Sequence, residues 1–421
     1  MTMTIHHTAE PEANDLRARL DAATGRGQRT KTPTMAAVVR AKGSHLWTAD
    51  GRRLVDLAAG VLVANLGHDH RGFERAFARY AKGLPRTAYN FLTPIEVEAA
   101  ERLLASMEGN RNAQKLLWAA SGSEGIQKAL WAAMHKNPDR KILLATRKGF
   151  HGKKGLAGDV SGEESPNPNV RWVPFPTDEI EPKAHYAKEL DRLGRDHRDD
   201  IALLITEPYL GAAGSYHPPK WYLRMLQDWC RDNDVPFILD EVQSCHGRTG
   251  NMYAYQTYGL EPDLIVLGKG LANGEPAAAV VGRADLIDAL DYGEASDTFS
   301  GNPRACAAVC AALDVFEDEK IVEHARERGV QLRAVLDELK AQFSFVTAVR
   351  GEGMVYGIEM RDDDIARECV LEAYRGTGKK GVHFLGPLAG KVLRVSPPLT
   401  IRREELYEAH RILSRAWTRV G

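Results

Sequence analysis

Asp240 closes the apolar run PFILD, and Lys269 follows the apolar run LIVLG. Each run is short and continuous, the pattern of a strand buried in a parallel sheet. In open α/β sheets, ligands bind beyond the carboxyl ends of the strands. A carboxylate and a primary amine delivered to that edge face the same ligand. Taken singly, neither residue carries weight, because strand-end acids often cap helices and most lysines are solvated. The surroundings of Lys269 add to the case. Gly268 and Gly270 flank it, and a lysine held among small and apolar neighbours loses proton affinity and becomes a nucleophile. Pyridoxal 5'-phosphate (PLP) needs such a pair: a lysine to form the Schiff base and an acid beside the pyridinium nitrogen.

Other residues suit the remainder of such a ligand. Ser121-Gly122-Ser123-Glu124-Gly125 lies between a strand pattern and a helix pattern. A turn of small residues at a helix N-terminus offers backbone N–H groups and a positive dipole end to a phosphate. The chain has no G-x-x-x-x-G-K-S/T sequence there, so a compact cofactor fits better than a nucleotide. Gly149-Phe150-His151-Gly152 follows the strand pattern KILLAT. Phe150 at that edge could stack on a flat ring, with a core position as the equal alternative. Lys153 comes next and could meet a substrate acid. His68 and His70 lack a nearby third ligand, so a loop role is expected and no metal.

These residues need a large scaffold. A chain of 421 residues can hold two domains. Lys plus Arg number 56 and Asp plus Glu 57, which argues against a general nucleic-acid or membrane-surface binder. The five cysteines are scattered without a C-x-x-C pair, as expected of buried thiols in a reducing cytosol. No apolar run approaches a membrane span. The opening MTMTIHHTAEPEAND lacks an apolar signal core, so no export is expected and the location is cytoplasmic.

Residues 1 to about 33 read as a mobile arm with one short helix from Glu12 to Ala23. VVRAKGSHLWTADGRRLVDLAAG reads as short strands around the turn Asp50-Gly51. From Arg71 helix and strand patterns alternate, which implies a mostly parallel sheet with right-handed crossovers. LIVLG and AAAVVG are separated by too few residues for a helical crossover, so that pair is expected to be antiparallel. A mixed seven-stranded sheet follows. Asn302 and Pro303 should cap and open the next helix. Beyond it, VTAVRGEGMVYGIEM and KVLRVSPPLTI suggest a smaller domain of antiparallel strands and helices.

With these pieces in one order, the chain resembles the class III aminotransferases, the fold type I PLP enzymes that include 4-aminobutyrate, ornithine and acetylornithine transaminases. The segments that carry the resemblance are ILDEVQSCHGRTG followed by PDLIVLGKGLANG, supported by LWTADGRRLVDLAAG, NLGHDH, SGSEG, GFHG, TEP, DTFSGNP and LRVSPPL. They cover nearly everything from about Ala37 onward. The resemblance implies an α/β fold: a mostly parallel seven-stranded sheet in a large domain, and a smaller α+β domain built from both termini. The expected divisions are an arm and part of the small domain at 1–75, a large PLP-binding domain at 76–318, and the C-terminal small domain at 319–421.

The resemblance also implies roles. Lys269 would form the Schiff base, and Asp240 would pair with the pyridine N–H. Val242 would pack on the ring face opposite Phe150, with His151 beside them, and Gln243 would hydrogen-bond the ring oxygen. Gly122 and Ser123 would hold the phosphate. Thr298 would complete that phosphate site from the other subunit of a homodimer with shared active sites. Arg394 looks like the arginine that clamps the carboxylate of a 2-oxo acid, a role suited to its planar fork. Glu207 resembles the acid that pairs with this arginine when an ω-amino donor is bound. Lys153 stands where many relatives have arginine, and a lysine lacks the bidentate fork. Gln243 argues against the aminomutase branch. The expected activity is transfer of an amino group from an ω-amino acid or amine to pyruvate or 2-oxoglutarate. Alternatives are a PLP decarboxylase or racemase on the same fold, a non-catalytic PLP-fold binding protein, and a nucleotide-binding α/β protein. No nucleic-acid or membrane partner is expected.

Overall fold

In the computed structural model, residues 5–28 and 30–420 are described. The chain divides into two compact units, one formed by residues 71–322 and the other by 1–70 together with 323–421.

The 71–322 unit is organised by a seven-stranded sheet. Its order across the sheet is Lys115–Ala119, Ala278–Gly282, Leu264–Leu267, Phe237–Asp240, Ile201–Thr206, Ile142–Thr146 and Val170–Val173. The runs PFILD and LIVLG are adjacent parallel strands, with Asp240 paired to Val266. The pair Leu264–Leu267 and Ala278–Gly282 is antiparallel, as the short connection requires. Every residue of both central strands is buried. That burial explains their unbroken apolar character, since both faces are covered by other elements.

One of the covering elements is the helix Gly122–Lys136. Its buried face presents Ile126, Ala129, Leu130 and Ala133 to Leu143, Ile205, Ile238, Val266 and Val280. The alanines let the helix lie close to the sheet. Each fully buried Leu, Ile or Val contributes about 1.5–3 kcal/mol of transfer free energy. Its N-terminus therefore sits at a fixed height above the strand ends. Ser121 is its N-cap, accepting a hydrogen bond from the Glu124 N–H. The SGSEG segment, expected as a turn before the helix, is thus largely the helix's own first turn. Asn302 caps the helix Pro303–Asp318 through the Arg304 and Ala305 N–H groups.

The other unit carries two four-stranded sheets. In one, Lys380–His383 pairs in parallel with Arg53–Asp56, joining C-terminal to N-terminal chain. This departs from the expected all-antiparallel strands. A local pattern cannot announce a partner more than three hundred residues away in sequence. The other sheet is antiparallel, in the order Val346–Glu352, Val355–Met360, Val392–Val395 and Leu385–Ala389.

The N-terminal segment is not the loose arm its polar sequence suggested. The helix Pro11–Ala23 is tied down at its start, where the Asp50 carboxylate accepts from the Glu12 and Ala13 N–H groups. Arg17, 5% exposed, bonds Glu10 and the carbonyls of Thr34 and Met35. The part of the arm reading that falls on residues 1–4 and 29 lies outside the described residues. His68 has a structural partner, the buried Asp56 carboxylate at 2.9 Å. All five cysteines are buried free thiols. Among the described residues no helix is long and apolar enough to cross a membrane.

Candidate active site

The strand ends at Thr206, Asp240 and Leu267 open onto a cavity of about 180 Å³. Its walls include Gly122, Ser123, Phe150, His151, Glu207, Asp240, Val242, Gln243 and Lys269. Nine of the twelve residues singled out in the sequence thus meet at one place. The other three do not line it. Lys153 is exposed on the chain that leads away from His151, and Thr298 is exposed on the segment before Asn302. Arg394 belongs to the other unit, buried in the strand Val392–Val395 opposite Gly357.

Asp240 is 4% exposed and held from two sides. One carboxylate oxygen accepts the Val242 N–H at 3.0 Å, and the other accepts from His151 Nδ1 at 2.7 Å. A carboxylate has about four lone-pair sites, so a ring N–H can still be accepted. With Nδ1 donating to Asp240, the buried Nε2 of His151 has no hydrogen-bond partner among the described residues. Phe150 is 40% exposed at the cavity, which removes the core alternative for its ring.

Lys269 opens a short 3-10 turn, Lys269–Ala272, with a φ of 44°. A non-glycine residue in this left-handed region costs of order 1 kcal/mol and persists only where its surroundings impose it. One such constraint is Cys245, whose thiol donates to the Gly268 carbonyl at 3.4 Å. Burial pushes the Cys245 thiol up to about 12, so it keeps the proton it donates.

The loop after Asp240 is anchored by a residue the motif reading passed over. Glu241 is fully buried and accepts the Ala254 and Tyr255 N–H groups, both at 2.7 Å. Burial pushes its carboxyl up to about 7 against those bonds. The start of the loop bearing Val242 and Gln243 is thereby tied to the helix Ala254–Tyr258. Two close approaches then shape the cavity. A Cβ on Gly122 would lie 2.7 Å from Val242, and one on Gly211 would lie 1.6 Å from the Gln243 amide oxygen. Gly122 lets the helix N-terminus reach the loop, and Gly211 leaves room for the Gln243 side chain. Ser121 and Gly152 also line the cavity. The Ser-x-x-Glu capping pattern could have flagged Ser121; nothing in the local sequence marks Gly211.

Glu207 follows Thr206, and Thr206 pairs with Leu239, so Glu207 and Asp240 stand side by side at adjacent strand ends. Its two oxygens accept the Phe150 N–H at 3.0 Å and the Gly211 N–H at 3.3 Å. Burial pushes its carboxyl up to about 7, with Asp240 acting in the same direction and His151 against it. The folded state therefore holds this proton above the ordinary value of 4.5. The associated stability is fully present below that value and is lost as pH rises toward 7. Glu207→Gln removes the effect. The difference in melting temperature between wild type and variant, measured without cofactor from pH 5 to pH 8, should shift in the variant's favour up to about pH 7 and level off above it. The limiting slope is about 1.4 kcal/mol per pH unit; a flat difference would refute the assignment.

These residues fit PLP. A helix N-terminus borders the cavity where a phosphate would sit. A doubly anchored carboxylate has capacity left for a pyridine N–H, and a lysine stands at the next strand end. The glycine at 122 is required by the close approach. In this setting Lys269 and Asp240 would hold the cofactor, Gly122 and Ser123 its phosphate, and Phe150, His151, Val242 and Gln243 its ring.

Comparison with known proteins agrees. A family model described as Aminotransferase class-III matches residues 27–417. The chain is 32% identical to the acetylornithine aminotransferase of Methanothermobacter thermautotrophicus, over 88% of this chain and 91% of that one. It is 29% identical to a probable 4-aminobutyrate aminotransferase of Bacillus subtilis, over 89% and 91%. Among solved structures it resembles a PLP-bound amine transaminase from an uncultivated Pseudomonas species. There the TM-score is 0.82 at 27% identity, over 94% of this chain and 97% of that one.

Proposed function

The chain belongs to the class III aminotransferases, and from that premise we propose that it takes the amino group of an ω-amino acid or amine and passes it to pyruvate or 2-oxoglutarate. It is a PLP-dependent enzyme that transfers an amino group to a 2-oxo acid. The reading of its site is supported above all by the convergence of Lys269, Asp240 and the Gly122 helix N-terminus on one cavity.

When bound, PLP supplies an electron sink for the charge left on the donor carbon. The chain's own residues do the rest. Lys269 Nζ would hold the cofactor and, once free, would carry a proton from the donor carbon. Asp240, oriented by His151, would keep a proton on the ring nitrogen. Phe150 and Val242 would hold the ring. Arg394 would take the carboxylate of the 2-oxo acid, and Glu207 would serve when an ω-amino donor enters instead. The relatives named for acetylornithine and 4-aminobutyrate support a donor whose amine is remote from its acid. Lys153 meets the distal acid of that donor as a point charge.

The enzyme is proposed to work as a homodimer with shared sites. Phe91, Leu92, Tyr292 and Phe299 are exposed apolar side chains on the 71–322 unit, as an interface would require. Thr298, exposed next to Phe299, is then the phosphate contact given to the partner. A cytoplasmic location accords with five free thiols.

Two measurements test this. The purified protein should be yellow, and one amine of a panel should bleach it without any acceptor present. A protein that stays colourless when supplied with PLP would overturn the assignment of Lys269 and Asp240. Initial rates against both substrates should give parallel lines, the mark of two half-reactions on one site. Intersecting lines would mean that donor and acceptor bind together.

A further inference from the structure

Lys128 is a buried lysine that the chemistry above does not use. It lies on the helix Gly122–Lys136, whose N-terminus borders the cavity, and its side chain is 6% exposed. A buried ammonium costs several kcal/mol unless its donors are satisfied. Here all three are. Lys128 Nζ donates to the Trp118 carbonyl at 2.6 Å, to Asp297 Oδ2 at 2.8 Å and to Ser300 Oγ at 3.1 Å.

The acceptors bind two pieces of chain together. Trp118 is the penultimate residue of the strand Lys115–Ala119, which leads into the Ser121–Ser123 turn. Asp297 and Ser300 bracket Thr298. The Asp297 carboxylate also accepts the Phe299 and Ser300 N–H groups, at 3.0 and 2.7 Å, and the Ser300 hydroxyl. Burial raises the Asp297 carboxyl, but the bonds from Lys128 and Ser300 outweigh it and hold it at about 2. The exit of the turn is pinned as well. Gly301, at φ 63°, packs on the Trp118 ring, where a Cβ would lie 2.7 Å away. Asn302 then caps the next helix. Thr298 and Phe299 are thus exposed residues on a turn braced from beneath at both sides.

We infer that Lys128, through Asp297, is a positioning residue that sets Thr298 at the height at which it contacts the cofactor phosphate in the partner subunit. This rests on the homodimer reading of Thr298. Because the same lysine grips the strand leading into its own subunit's phosphate turn, one buried cation ties together the phosphate contacts of both active sites.

The test compares the affinity of cofactor-free enzyme for PLP with that for pyridoxal, which lacks the phosphate. Thr298→Ala checks the underlying reading: it should weaken PLP about tenfold and leave pyridoxal unchanged. An unchanged PLP affinity there would refute the reading itself. Lys128→Met removes the cation and leaves the part-exposed Asp297 carboxylate to the Phe299 and Ser300 N–H groups and the Ser300 hydroxyl. It should weaken PLP about tenfold, spare pyridoxal, and add less than about twofold when combined with Thr298→Ala. If Thr298→Ala weakens PLP while Lys128→Met does not, the inference fails. It fails equally if Lys128→Met weakens both ligands alike, the mark of a general structural role. Should Lys128→Met not fold, Asp297→Asn breaks the same clamp and is judged by the same criteria.

Discussion

Lys269→Ala should lose at least about four orders of magnitude in turnover, because under the proposed function one side chain would serve as both nucleophile and proton carrier. Its backbone sits at φ 44°, a strained position that alanine adopts no more easily, so the turn should gain no stability. The rest of the cavity wall does not depend on the amine. Asp240 keeps His151 and Val242 as partners, and Glu241 keeps the loop. The variant should therefore still bind PLP, but reversibly. Borohydride treatment should leave the cofactor attached to wild-type chain and not to the variant, as read by mass. Full turnover in Lys269→Ala, or cofactor still fixed by borohydride, would assign the amine to another residue.

The next largest effect is expected from Asp240→Asn. Asparagine keeps the shape, and its oxygen can still accept the Val242 N–H. It removes the charge beside the ring nitrogen and sets an amide N–H against His151 Nδ1. His151 must then accept at Nδ1 and place its proton on Nε2, which is buried without a partner among the described residues. Losing one member of a buried charged pair costs about 2–5 kcal/mol. The maximal rate should fall about 10²- to 10³-fold, with a smaller change in the KM for the donor. Asp240→Glu should recover part of the rate, since it restores the charge at a shifted position. Wild-type rates in Asp240→Asn would remove Asp240 from the chemistry.

Much of this site was legible in the residues. Asp240 and Lys269 were visible because each ends a short apolar run, and such runs become neighbouring buried strands. The antiparallel strand Ala278–Gly282 was visible because too few residues precede it for a crossover. Gly122 and Ser123 were visible as small residues between a strand pattern and a helix pattern. Other features carried no local mark. The polar N-terminal segment looked loose, since a chain pattern does not show that Asp50 will cap its helix. Glu241 read as one more acid in a motif, though it ties the loop to Ala254 and Tyr255.

The sequence by itself determined the family, most element types, and the lysine and acid that close neighbouring strands, because these depend on side-chain chemistry and on periodicities of a few residues. Only the tertiary structure decided which acids share the sheet edge, why Gly211 must be small, and what the buried Lys128 holds. The strand order puts Ile201–Thr206 beside Phe237–Asp240, and that adjacency raises the Glu207 carboxyl next to Asp240. Lys128 and Asp297 lie 169 residues apart in the chain, and only the packed sheet brings the helix face of one under the turn of the other. Strand order and depth of burial are properties of the whole packed unit, so no short stretch of residues can state them.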